Sequence, residues 1–272
     1  MKRSTFASSV DALLALVRWQ NALIAATGVL VGAWWAGWGP RAPIVVAAAA
    51  AVALTAAANA WNDVADLEID RVAHPTRPLP SGALGVGAAR ATAWCAAGAG
   101  VVLAAIARPA LGVLTVLVLI AMWGYSPWLK RRGLAGNCAV AILASLPFLY
   151  GAWAVGHPRP GLVLVLVAAP LHLARELAKD IDDASADAAT RRTVPVVNLA
   201  AARIFLLAAV AAFVLMLVPL AVGRPRFALI LVPALVLCTL AARTVLRGRH
   251  GAPMLFKLAM LLAMVAFVAA RR

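Results

Sequence analysis

Nine apolar runs, at 14–37, 43–61, 84–106, 110–128, 134–155, 161–178, 199–222, 227–246 and 253–270, fill most of this sequence. Each is close to the about 20 residues that a helix needs to cross the hydrocarbon core of a bilayer. The breaks between them carry turn or charge signals, as at 38–41, 108–109, 130–133, 157–160, 223–226 and 247–251. Runs of this kind predict an all-α polytopic membrane protein with about nine transmembrane helices. Composition agrees: 64% of residues are hydrophobic and 13% charged, which excludes a disordered chain, a collagen and an ordinary water-soluble globule. Little sequence remains outside the runs, so one membrane domain over residues 1–272 is expected.

Lys and Arg number 25 against 10 Asp and Glu, a net charge of +15. The basic residues are scattered singly and in short groups between apolar runs, which fits anionic headgroups and the positive-inside rule rather than nucleic acid. With the N-terminus cytoplasmic, the inside segments hold Arg71, Arg77, Arg90, Lys130, Arg131, Arg132, Arg191, Arg192, Arg247 and Arg249. The outside segments hold fewer. The expected location is therefore the cell membrane, multi-pass. Lys2 and Arg3 precede an apolar stretch as in a signal peptide, but Arg18 and Asn21 interrupt it, so the segment is read as retained. Cys95, Cys138 and Cys238 each lie alone in an apolar run and are expected as small core residues.

Nine of the ten acidic residues fall in two windows, Asp63 to Asp70 and Glu176 to Asp187. Both windows contain Asp-x-x-Asp-x-x-x-Asp: Asp63, Asp66 and Asp70 in one, Asp180, Asp183 and Asp187 in the other. Each precedes an Arg and a Pro, Arg77 with Pro78 and Arg192 with Pro195. This recurrence, over 59–82 and 175–195, suggests two halves facing a shared site at the cytoplasmic side. On a helix, positions i, i+3 and i+7 share a face. Asn59, Asp63, Asp66 and Asp70 then form one stripe, with Glu68 turned away. Asp180, Asp183 and Asp187 form another, with Glu176 beside them and Asp182 turned to solvent.

Two stripes of carboxylates cannot face each other bare, because like charges repel. They need a cation, and oxygen-only ligands select a hard one such as Mg²⁺, which takes carboxylates together with water and substrate phosphates. A phosphate-bearing substrate follows. Arg71, Arg77, Lys130, Lys179 and Arg192 are the nearby cations that would hold the remaining phosphate charge. Arg18 and Asn21 count as functional intramembrane polar groups, with snorkelling to headgroups as the other reading of Arg18. Tyr125 and Trp128 read equally as an interfacial aromatic belt. His157, His172 and His250 read as structural or headgroup-facing.

At these residues the chain resembles the UbiA superfamily of intramembrane prenyltransferases. Asn62, Asp63, Asp66 and Asp70 match its first motif, Arg77 to Gly82 the segment after it, and 180–187 its second. Within the superfamily the nearest resemblance is to geranylgeranylglycerol-phosphate geranylgeranyltransferases, through 175–183, Thr193 to Pro195, 129–137 and Leu146 to Phe148. Two positions depart from that branch's usual glycines, Ala186 and Arg191.

The resemblance implies nine helices around a central cavity that is polar at its cytoplasmic end and apolar toward lipid. It implies Mg²⁺ held by Asp63, Asp66, Asp70, Asp180, Asp183 and Asp187, with Asn59 and Asn62 positioning metal or phosphate. Arg18, Asn21, Tyr125 and Lys130 would help bind diphosphate or acceptor. The implied reaction is Mg-dependent transfer of a prenyl group, geranylgeranyl, from its diphosphate to the hydroxyl of geranylgeranylglycerol phosphate, giving an ether lipid. The implied partners are these substrates and membrane lipids, with no nucleic acid and no protein partner indicated. Prenylation of an aromatic acceptor, a non-catalytic polyprenyl-lipid binder and a transporter are the other readings. The transporter ranks last, because these carboxylates lie at helix ends rather than at mid-membrane.

Overall fold

The computed structural model describes residues 8–128, 133–190 and 199–269. Among these the chain forms eleven α-helices: α1 Ser9–Val17, α2 Trp19–Trp35, α3 Arg41–Ala65, α4 Leu67–Ala73, α5 Val86–Ala107, α6 Pro109–Trp128, α7 Leu134–Ala154, α8 Pro158–Thr190, α9 Leu199–Ala221, α10 Pro225–Leu246 and α11 Ala252–Ala269. The apolar runs of the sequence fall on helices, the first of them divided between α1 and α2. Helices follow because a backbone in lipid must satisfy its N–H and C=O groups within its own segment.

Seven helices are long and apolar enough to cross a membrane, and α1 with α2 makes an eighth if that pair, bent by 47°, is one span. The run expected as a ninth falls on α6, whose apolar Pro109–Trp123 stretch is shorter than these spans. The chain is thus a multi-pass membrane protein with seven or eight candidate spans by length and composition.

The outer surface carries large apolar side chains in the open, among them Val45, Ile106, Val113, Ile120, Leu166, Ile204, Leu215 and Leu229. Such a continuous apolar exterior marks a lipid-facing surface. The interior is rich in alanine instead: Ala47, Ala50, Ala57, Ala60, Ala89, Ala93 and Ala104 are fully buried. Small residues let membrane helices approach until backbone meets backbone, which is where their packing energy arises. Such an approach joins α2 and α7, at Gly32 and Gly151. Cys238 is buried as expected, but Cys95 is exposed. It sits beside Trp94 on the outward face of α5, so that expectation is corrected.

Turn chemistry fixes the helix ends. Between α7 and α8 the chain reverses through Gly156, at φ +92, a backbone region that L side chains rarely enter. Pro158 then opens α8, where its missing N–H costs nothing. Contacts between helix ends define two ends of the bundle. At one, Trp34 Nε1 donates to Val268 O (2.9 Å) and Arg108 Nε to Ala154 O (3.2 Å). At the other, the C-terminal ends of α3 and α8 meet the starts of α2, α7 and α11, and both acidic motifs lie there.

Candidate active site

The first acidic motif is built on a broken helix. α3 ends at Ala65, and Asp66, at φ −95 and ψ 5, is at once the last cap of α3 and the first cap of α4. The expected stripe survives the break, since the Asp70 N–H still donates to Asp66 O at 2.8 Å. Asp63, Asp66 and Asp70 are buried, and Glu68 is exposed with Arg71 at 2.7 Å. Arg71 therefore caps a surface ion pair and does not line the site.

Two arginines balance the buried carboxylates. Arg18 donates from Nη2 to Asp63 Oδ1 (2.7 Å) and from Nη1 to Asn59 Oδ1 (3.3 Å). Arg77 donates from Nη1 to Asp70 Oδ2 (2.5 Å) and lies 3.9 Å from Asp63 Oδ1. Like-charge repulsion within the stripe is thus relieved by guanidinium groups of the chain itself. Arg18 is the residue at which α1 and α2 separate. Its φ is +50, a left-handed conformation that costs a non-glycine residue on the order of 1 kcal/mol or more. The Asn59 amide donates to Val17 O at 2.9 Å, so α3 grips this junction on both sides and offsets the strain.

The second motif lies on one continuous helix, α8. Asp180 Oδ2 accepts from Asn137 Nδ2 of α7 at 2.7 Å. Glu176 pairs with Arg175 and lies 4.0 Å from Lys179. Asp182 is not turned to solvent as expected: its carboxylate accepts from the Gly251 N–H (3.0 Å) and lies 3.7 Å from His250 Nδ1. The turn before α11 folds back over α8 and covers it. Asp187 lies on α8 and Tyr125 on α6, but their side chains are outside the described residues. Lys130 and Arg192 lie outside them altogether.

The two motifs face one cavity of about 1860 Å³, lined by Asp66 and Asp70 from the first and Asp180 and Asp183 from the second. Asn21, Asn59, Asn62, Arg18, Arg77 and Lys179 line it as well, whereas Asp63 stands behind the wall, held by Arg18. Away from the acidic mouth the lining turns apolar, with Leu54, Leu146, Phe148, Phe213, Met264 and Phe267. Trp61 and Trp123 line one side, their rings 5.3 Å apart. A pocket for a single drug-sized ligand has about 300–1,000 Å³. This space is larger, and it joins a charged mouth to an apolar chamber as two amphiphilic substrates require.

The profile of the UbiA prenyltransferase family matches residues 23–267. The chain belongs to the UbiA prenyltransferase family. Among curated relatives, this UbiA protein is 36% identical over 271 residues to the digeranylgeranylglyceryl phosphate synthase of Halobacterium salinarum, covering 95% of this chain and 96% of that one. It is 34% identical over 267 residues to the enzyme of that name from Methanopyrus kandleri, covering 95% and 98%. Two solved structures share the fold. One, from work on digeranylgeranylglyceryl phosphate synthase in membranes, has a TM-score of 0.74 at 21% identity, covering 96% of this chain and 98% of that one. The other is the apo structure of a UbiA homolog from Aeropyrum pernix K1, with a TM-score of 0.77 at 22% identity, covering 93% and 97%. The UbiA chain is accordingly an enzyme of prenyl transfer.

Among the polar residues that line this UbiA cavity, sequence reasoning gave no site role to Asn137, His172, Arg175 and Lys257. Lys257 carried a readable signal, as the one charge in its apolar run. Arg18 makes a direct test of the pairing described above. Arg18→Met leaves buried Asp63 with Arg77, at 3.9 Å, as the remaining cation within ion-pair distance among the described residues. Breaking a buried pair costs about 3–5 kcal/mol, and the second arginine reduces this to about 2–3 kcal/mol. Thermal unfolding in detergent should show the loss, and an unchanged midpoint would refute the clamp.

Proposed function

We propose that this protein transfers a geranylgeranyl group from its diphosphate to the hydroxyl of geranylgeranylglycerol phosphate and forms an ether lipid. The observation that carries the reading is the single cavity in which both Asp motifs face an apolar chamber. The names of the full-length relatives supply the substrate class.

The mouth suits Mg²⁺ in its donor chemistry. Asp66, Asp70, Asp180 and Asp183 offer only oxygen, and Asn59, Asn62 and Asn137 stand beside them. Among the described residues no three of His, Cys, Asp and Glu gather into one cage. Mg²⁺ takes one or two carboxylates and keeps water and substrate phosphate, so a sparse set divided between two motifs fits it. In this reading the metal is held from among Asp66, Asp70, Asp180 and Asp183, which line the cavity, with Asp187 as the remaining carboxylate of the second motif and Asp63 supporting the first from behind the wall through Arg18. A Mg²⁺ bound there would supply positive charge against the diphosphate leaving group.

The chain's own residues do the rest. Arg77, Lys179 and Arg18, which line the cavity, draw the diphosphate to this end of the bundle, Arg71 adds positive charge at the surface beyond it, and Lys130 and Arg192 join them in this reading. Asn21 and Tyr125 help bind diphosphate or acceptor. The C1–O bond of the donor breaks, the acceptor oxygen bonds to C1, and the acceptor's hydroxyl proton and diphosphate leave. The apolar chamber holds the prenyl chain and excludes water that would quench the allylic cation. The excess of Arg and Lys at the motif end supports a cytoplasmic mouth in the cell membrane.

Purified protein with labelled geranylgeranyl diphosphate and Mg²⁺ tests the reading, with geranylgeranylglycerol phosphate and 4-hydroxybenzoate offered in parallel. A labelled ether lipid from the first acceptor is expected. Product from the aromatic acid alone would move the protein to an aromatic acceptor, and product from neither would overturn both.

A further inference from the structure

Lys257 is the only charged residue of α11, which is otherwise apolar from Ala252 to Ala269. It lines the cavity and donates from Nζ to the Oδ1 of Asn21 at 3.1 Å. The neighbouring cations are matched differently. Arg18 pairs with Asp63, Arg77 with Asp70 and Arg175 with Glu176, and Lys179 approaches Glu176. Among the described residues, Lys257 has no carboxylate within ion-pair reach. A cation in a membrane helix is expensive and is retained where it faces a cavity or meets an anion. The Asn21 amide fixes the direction of the ammonium without cancelling its charge.

Its depth follows from the helices. Gly251, at the start of α11, bonds to Asp182 of α8. Lys257 lies six residues further along, about 9 Å at the rise of an α-helix. That takes it past the acidic mouth toward Arg175 and His172, which line the same cavity. Arg175 itself precedes Asp180 by five residues, about 7.5 Å along α8. The cavity therefore presents two unlike anion environments. The mouth is lined by carboxylates whose cations, Arg18, Arg77 and Lys179, are already paired with or close to acidic groups, so it favours a phosphate that arrives with a metal. The site at Lys257 is cationic and can hold a metal-free phosphate.

We infer that Lys257, oriented by Asn21, forms a second anion subsite that takes the phosphate monoester of the acceptor lipid, an assignment that rests on the function proposed above. Chemistry fits the spacing. A glycerol that carries one chain and one phosphate has one hydroxyl left, within two carbons of the phosphate. Anchoring that phosphate one to two helical turns from Asp180 holds the hydroxyl beside the carbon that loses diphosphate, which is the positional advantage of an oriented reactant. It also selects acceptors with an anionic head and rejects the uncharged glycerol ether.

The test uses the purified full chain in detergent micelles with Mg²⁺. Lys257→Met removes the charge without adding a polar group to an apolar helix. Loss of a charged hydrogen bond should raise KM for geranylgeranylglycerol phosphate by about tenfold to a hundredfold. KM for geranylgeranyl diphosphate should stay within about twofold, and Lys257→Arg should recover most of the loss. With geranylgeranylglycerol as acceptor, which lacks the phosphate, wild type and Lys257→Met should perform alike. A rise in donor KM instead would assign Lys257 to the diphosphate, and equal loss with both acceptors would make it structural. Either result overturns the subsite. Binding of labelled geranylgeranylglycerol phosphate without donor separates the two readings. Binding that depends on Lys257 in a protein that forms no ether sinks the proposed reaction alone. Ether formation and binding untouched by Lys257→Met sink the subsite alone.

Discussion

Asp66→Asn is expected to lower kcat by about a hundredfold to a thousandfold, the usual loss when one preorganised group that meets developing charge is removed. Asp66 is the member of the first motif best placed to report on this. Asp63 is withdrawn behind the wall by Arg18, and Asp70 is bonded to Arg77 at 2.5 Å. Asp66 lines the cavity opposite Asp180 and Asp183. It also sits where α3 ends and α4 begins, so Asn, which also suits helix ends, is the replacement that spares the backbone. Glu68→Gln is the matched control. Its side chain is 80% exposed and pairs with Arg71 at the surface, so the rate should stay within about twofold, as for exposed pairs in general. Initial rates with labelled geranylgeranyl diphosphate at saturating acceptor decide the matter. An Asp66→Asn enzyme with more than about a tenth of wild-type kcat would remove Asp66 from the reacting centre. So would an equal loss in Glu68→Gln.

The contrast between Asp66 and Glu68 was legible in the sequence, because i, i+3 and i+7 share a helix face and i+5 does not. The same period placed the second motif toward the first. Spans were legible for a simpler reason: an apolar run of that length has few alternatives to a membrane helix. Breaks inside the helical regions were not. Neither Pro nor Gly marks residue 66, and the left-handed turn at Arg18 is held by Asn59, far along the chain. Long-range partners hid the rest of the cavity. Asn137 reaches Asp180 across 43 residues, and Lys257 reaches Asn21 across 236. A hydrogen-bond partner at that separation leaves no periodic trace. Asp182 was misread for the same reason, since a turn contributed by α10 and α11 covers the face that α8 alone would expose.

Helix packing supplies the other large effect, and one substitution made at two places should change sign. Gly32 of α2 and Gly151 of α7 lie backbone to backbone. A Cβ on Gly151 would stand 1.8 Å from Val29 O, and one on Gly32 would stand 2.0 Å from Phe148 O. Neither oxygen belongs to a flexible side chain, so the helices themselves must separate. Gly28 and Gly32 are spaced as in the small-residue motif that lets membrane helices touch. Overpacking of this kind costs typically 1–3 kcal/mol and more where backbone cannot yield, so about 3 kcal/mol or more is expected for Gly151→Ala. Gly98, exposed on α5, has nothing within 4 Å of its added Cβ. There the same change removes the helix-interior penalty of glycine, and Gly98→Ala should stabilise by up to about 1 kcal/mol. Thermal unfolding midpoints in one detergent would compare the pair, with size-exclusion profiles as a check on folding. Phe148 and Leu146 of α7 and Gly28 of α2 line the cavity, so prenyl transfer should fall with Gly151→Ala and persist with Gly98→Ala. A Gly151→Ala protein as stable and active as wild type would mean that α2 and α7 are not in backbone contact, and the cavity wall drawn between them would have to be redrawn.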